Sequence, residues 1–139
     1  MINRVLDLQS LTVRQAITPL AQAATVTATT PLTQALALCR ERKFTRLPVW
    51  ETREGQRRVI GLISLKLLLY EAELPPAKPV ADYVKPSLFL EEDMRLEVAL
   101  RRMQRSGQRL AIVLGRERKE IGLLSLQDVL TVIFGEVSL

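Results

Sequence analysis

The stretch "GLLSLQDVL" (Gly122–Leu130) repeats, 61 residues on, an earlier stretch "GLISLKLLL" (Gly61–Leu69). Gly, Leu, Ser, Leu and the final Leu recur in register, while Asp128 stands where the first copy has Leu67. In both copies an apolar run ends at a serine and passes into helix-spaced leucines, the pattern of a strand feeding directly into a helix. A segment written twice points to a fold built from two copies of one unit. It also raises the question of why one copy keeps an acid that the other has lost.

Upstream of each copy the repetition continues. "PLTQALALCRERK" (Pro31–Lys43) places Leu32, Ala35, Leu36 and Cys39 on one helical face. "RLEVALRRMQRSG" (Arg95–Gly107) does the same with Leu96, Ala99, Leu100 and Met103. Pro31 fits the first turn of the first helix. Asp93 is the candidate N-cap of the second, and Gly107 its C-terminal cap. Short strands follow, "RLPVW" (Arg46–Trp50) and "RLAIVL" (Arg109–Leu114), then the polar turns "ETREGQRR" and "GRERKE", then "VIGLIS" and "EIGLLS". Pro48 precedes Gly61 by 13 residues and Ala111 precedes Gly122 by 11, a difference that a shorter second turn absorbs. Each copy therefore reads helix, strand, turn, strand, helix. The first repeat is placed at 13–72, a proline-rich connector at 73–87 and the second repeat at 80–139. Roughly 60 residues is marginal for a lone domain, so the expectation is one α+β domain of two pseudo-twofold repeats packed through their sheets.

Composition narrows the chemistry. Of the 139 residues 47% are hydrophobic, enough for a buried interior. The absence of histidine removes the commonest general base and metal ligand, and no nucleophile–base pair stands out, so no enzyme and no metal site are expected. The single cysteine, Cys39, excludes an internal disulfide framework. A net charge of +5 invites anionic partners, but 4% aromatics and dispersed arginines argue against nucleic acid. No apolar run reaches membrane-spanning length and no signal peptide opens the chain, so the chain by itself is expected to be soluble.

The tandem of helix, strand, strand and helix, closing on G-h-h-S/T-x-x-D, resembles a pair of CBS domains, a Bateman module. "NRVLDLQSLTVRQAITPL", "FTRLPVWE", "VKPSLFLEED", "LAIVL" and "GLLSLQDVLTVIFGEV" resemble the CorC/HlyC and cyclin-M branch, often labelled hemolysin-related. That resemblance implies a regulatory module on the cytoplasmic face of a divalent-cation transport protein, of the kind linked to magnesium and cobalt. It implies binding of an adenine nucleotide (ATP, ADP or AMP), in the family often with magnesium, and pairing into disc-like homodimers. Residues 1–12 then read as the lead-in from a membrane domain of the parent chain that precedes Met1.

Ser125 and Asp128 are open to two readings. Ser125 is a natural N-cap, and Asp128 sits where a capping-box acid complements the helix dipole. Equally, a carboxylate at a helix start accepts hydrogen bonds from a ribose diol, beside N–H groups that hold phosphate oxygens. Leu67 cannot accept such bonds, so the second site, marked by Ser64 and Leu67, reads as degenerate. The resemblance adds Thr18 near the base, Phe44 against the adenine, Arg46 near phosphate or ribose, and Pro48 at the pocket wall. It also marks departures: Ile17 replaces a methionine, and "GRERKE" replaces an acidic turn, which leaves magnesium open. The alternative is a structural dimerisation module with an empty cleft, for which the apolar terminal helix around Val129, Leu130, Val132, Ile133 and Phe134 offers a surface.

Overall fold

Both amphipathic spacings fold as helices in the computed structural model, which describes residues 10–42, 46–64 and 79–135. Helix α1 spans Leu32–Arg42 and buries Leu32, Ala35 and Cys39; α2 spans Leu96–Ser106 and buries Leu96, Ala99 and Met103. Gly107 ends α2 in the left-handed region (φ 73°), the conformation a glycine adopts without steric cost. Helix α3, Leu126–Phe134, starts directly from a strand. The strands among the described residues are β1 (Thr18–Pro19), β2 (Val26–Thr27), β3 (Arg46–Arg53), β4 (Gln56–Ser64), β5 (Leu88–Glu91), β6 (Leu110–Leu114) and β7 (Glu120–Ser125). They form two sheets, β2-β3-β4 and β1-β7-β6-β5, so the fold is α+β. The helix expected after Ser64, and with it Leu67, lies outside the described residues, as does Phe44.

The chain divides into two compact units, one of residues 24–87 and one of residues 1–23 with 88–139. In the first, Leu47, Val49 and Ile63 pack with Leu32, Ala35 and Cys39. In the second, Ala111, Val113 and Leu124 pack with Leu96, Ala99, Met103 and Val129. Each sheet thus buries one face under helix, α1 in the first unit and α2 with α3 in the second, with period-2 alternation selecting which side chains point there.

Each unit is completed by a short segment from elsewhere in the sequence. Val13 donates its N–H to Met94 O (2.9 Å), Leu96 N–H reaches Leu11 O (2.9 Å), and β1 runs antiparallel beside β7. In the other unit Val80 N–H reaches Thr30 O (2.9 Å), while Leu62 and Lys85 exchange two backbone hydrogen bonds of 3.0 and 2.9 Å. Residues 79–87, read from their prolines as connector, therefore carry a 3-10 turn (Val80–Tyr83) and an edge bridge. Sequence repeat and compact unit are different divisions of the chain.

Local expectations are corrected at four points. Asp93 does not cap α2: it lies in the turn closed by Met94 N–H to Glu91 O (3.1 Å), and the N-cap is Arg95, held extended by its bridge to Thr12. Pro31 sits one residue before α1 rather than in its first turn, its carbonyl accepting from Gln34 (3.0 Å) and Ala35 (3.3 Å). The polar stretch after Trp50 is mostly strand, because β3 and β4 continue to Arg53 and Gln56 around a two-residue turn. Glu54 and Gly55 both have positive φ there, the backbone of a type I′ hairpin. Finally, Pro48 pairs with Leu62, and Ile112 with Leu123, so Arg46 corresponds to Leu110 and not to Arg109. Matching arginine to arginine shifts the strands by one residue, which would exchange their faces.

Candidate functional site

Strand β7 delivers Ser125 to the first turn of α3. Its hydroxyl oxygen accepts the Asp128 N–H at 2.9 Å, so the N-cap expected from the sequence is made. Such a cap contributes about 1 kcal/mol by satisfying a helix-end donor. The Leu126 N–H is taken by Arg109 O at 2.9 Å. Gln127 N–H is left as the first-turn donor without a partner among the described residues.

Asp128 is half-buried in that first turn. Its carboxylate has no hydrogen-bond or ion-pair partner among the described residues, and no return bond to the Ser125 N–H closes a capping box. A carboxylate that faces a helix N-terminus without a mate is stabilised by the dipole and keeps both oxygens available as acceptors. Ser125 Oγ uses an acceptor lone pair on the helix, so its O–H proton remains free to donate.

Thr18 joins this group through the sheet. It stands opposite Leu123, two residues from Ser125 on β7, so Thr18, Leu123 and Ser125 share the face that Leu124 does not. The diagonal spacing of such neighbours is roughly 7–8 Å. Thr18, Ser125 and Asp128 therefore belong to one unit and gather at the junction of β1, β7 and α3. Arg46, Pro48 and Ser64 belong to the other unit. There Arg46 stands directly opposite Ser64, half-buried, and Pro48 lies buried on the same face.

Sequence reasoning did not find the glycines' role. A Cβ on Gly122 would lie 2.8 Å from Thr18 O and 3.1 Å from Ile17 Cδ1, so β1 can approach β7 only because residue 122 has no side chain. Gly61 plays the same part against Lys85 O and Val84 Cγ1, at φ +155°. The repeated glycine of the opening stretch carried that signal. Arg109, which holds the α3 start through its carbonyl alone, gave none.

Two clefts, of about 450 and 390 Å³, open elsewhere in the unit of residues 24–87, and neither includes Thr18, Ser125 or Asp128. Among the described residues no three acidic, cysteine or histidine side chains gather in one place.

The family model of the CBS domain matches residues 13–73 and again 80–135. The chain belongs to the CBS-domain family. Within it the CBS pair falls in the CorC/CNNM branch. A solved CBS domain of a bacterial CNNM/CorC family Mg2+ transporter in complex with ATP is 31% identical with a TM-score of 0.84, covering 97% of this chain and 95% of that one. A putative chloroplast DUF21 domain-containing protein of Arabidopsis thaliana is 28% identical over 141 residues, 99% of this chain and 21% of the relative. The magnesium and cobalt efflux protein CorC of Vibrio cholerae is 24% identical over 138 residues, 99% of this chain and 47% of the relative. This CBS pair thus spans from about a fifth to about half the length of these two curated relatives. Among its described residues no helix is long and apolar enough to cross a membrane.

Proposed function

We propose that this CBS pair binds an adenine nucleotide at the start of α3 and serves as the regulatory module of a divalent-cation transport protein. The unpartnered Asp128 carboxylate carries the reading. It would accept hydrogen bonds from the ribose 2′ and 3′ hydroxyls, while Ser125 O–H and Gln127 N–H would donate to ligand oxygens. Thr18, on the same sheet face, would lie toward the base. ATP in the related CNNM/CorC domain supports the ligand class. Magnesium, for which the described residues offer no cage, would arrive only with the nucleotide's phosphates. The parent protein would place this module on the cytoplasmic side of its membrane domain, and nucleotide would act by differential affinity for two arrangements of a homodimer.

A second reading, a dimerisation module that binds no nucleotide, is favoured by one observation: Phe134 is 59% exposed at the end of the apolar helix α3. A thermal shift screen separates the two. A ligand at 100 times its dissociation constant stabilises by about 2.7 kcal/mol, which raises the melting temperature by several degrees. ATP, ADP and AMP, each with and without magnesium, should include at least one that does so; an unchanged melting temperature with all of them leaves the dimerisation module.

A further inference from the structure

The larger cleft, about 450 Å³, lies at the hairpin end of β3, the opposite end from Arg46. Its walls come from the end of β2 with the turn after it, and from the two strands of the hairpin. Trp50 and Thr52 lie two apart on β3, and Thr52 stands directly opposite Arg57 on β4, so all three project from one face. The Arg57 guanidinium stacks on the Trp50 ring, 4.3 Å from its centroid. Stacking engages the face of the guanidinium and leaves its N–H edges free.

Arg57 has no carboxylate partner among the described residues, whereas the neighbouring Arg53 is paired with Glu51. The cleft therefore presents one uncompensated cation held in place by an aromatic ring. Across from it runs a chain of hydroxyls. Thr30 Oγ1 accepts the Thr27 N–H (3.0 Å) and lies 3.0 Å from Thr27 Oγ1, which is 3.3 Å from Thr29 Oγ1. Either oxygen can donate in these two contacts, and in the arrangement where Thr30 donates to Thr27, Thr27 donates to Thr29. The O–H of Thr29, a cleft-lining residue, is then left to donate outward. A stacked arginine edge plus threonine O–H donors matches the three oxygens of a phosphoryl group.

We propose that this cleft is a second anion site, distinct from the α3 junction, that binds the phosphate monoester of a small molecule or of a lipid headgroup through Arg57, Thr29 and Thr52 beside Trp50. The volume falls in the range of small-molecule sites and exceeds the needs of a bare phosphate.

Trp50 is the sole tryptophan of the chain, so its emission reports on this cleft alone. Titration of the 139-residue chain with inorganic phosphate, glycerol 3-phosphate, and phosphatidylcholine vesicles with and without phosphatidic acid should give a saturable change in emission with at least one phosphate probe. A response to the soluble probes assigns a small molecule; a response only to phosphatidic acid vesicles assigns a headgroup. Arg57→Gln should move the midpoint at least tenfold and Thr52→Val should weaken it less, while Asp128→Ala should leave it unchanged. The absence of a saturable response to every phosphate probe overturns the site. So does an unshifted midpoint in Arg57→Gln, or an equal response to sodium chloride or acetate at matched ionic strength.

Discussion

The carbonyl oxygen of Thr18 lies 2.8 Å from the point a Cβ on Gly122 would occupy, and Lys85 stands in the same relation to Gly61 in the other unit. These two contacts fasten an outside segment onto each sheet, and both fall at the first residue of the repeated stretch. They also place Thr18 on the face that carries Ser125, so the same glycine that closes the fold also assembles the candidate site.

Alanine at either glycine should therefore destabilise the chain. Gly122→Ala forces the β1 carbonyl to move, an overpacking cost of about 1–3 kcal/mol. Gly61→Ala adds a φ of +155° that alanine resists, so its loss should be the larger of the two. Urea denaturation of the two variants against the parent chain measures both, and Gly122→Ala should in addition disturb nucleotide binding through Thr18.

Ser125→Ala removes the bond to the Asp128 N–H and should cost about 1 kcal/mol by chemical denaturation. Ser125→Thr, which keeps the oxygen, should recover most of it. A loss well under the range of about 0.5–2 kcal/mol would mean that the cap is not made in solution.

Cys39 titrates the core of the first unit. Its side chain is buried beneath α1, and burial pushes the thiol above its ordinary range. The folded state then holds its proton at pH values where the unfolded chain releases it. Stability from this group is complete below the unfolded thiol pKa and declines as pH rises toward the folded value. Denaturation midpoints followed across that alkaline window should fall more steeply for the parent chain than for Cys39→Ala, and parallel curves would contradict it.

Much of this was legible in the residues, and the exceptions share a cause. Leu32, Ala35 and Cys39, like Leu96, Ala99 and Met103, announced their helices because a 3.6-residue period survives in sequence. Ser125 announced its cap by residue type and position. Arg53 and Gln56 did not announce a strand, since a hairpin end exposed on both faces loses its apolar alternation. Asp93 looked like a cap because it precedes an apolar run, but the bridge between Thr12 and Arg95 sets the helix start, and backbone pairing leaves no side-chain signature. The docking of residues 11–19 and 79–85 was hidden for the same reason, except for the two glycines. The clustering of Trp50, Thr52 and Arg57 required the register of β3 on β4, which residue types alone did not specify.

The central claim is that Asp128 holds an adenine nucleotide, and calorimetric titration of ATP and of AMP into the parent chain and Asp128→Ala tests it most directly. Hydrogen bonds to a charged group contribute about 1.5–3 kcal/mol each, so losing the carboxylate should weaken binding on the order of tenfold to a hundredfold or more. The account predicts saturable heat for the parent chain with at least one of the two nucleotides and that loss of affinity in the variant. Equal binding by both proteins, or no binding by either, would contradict it.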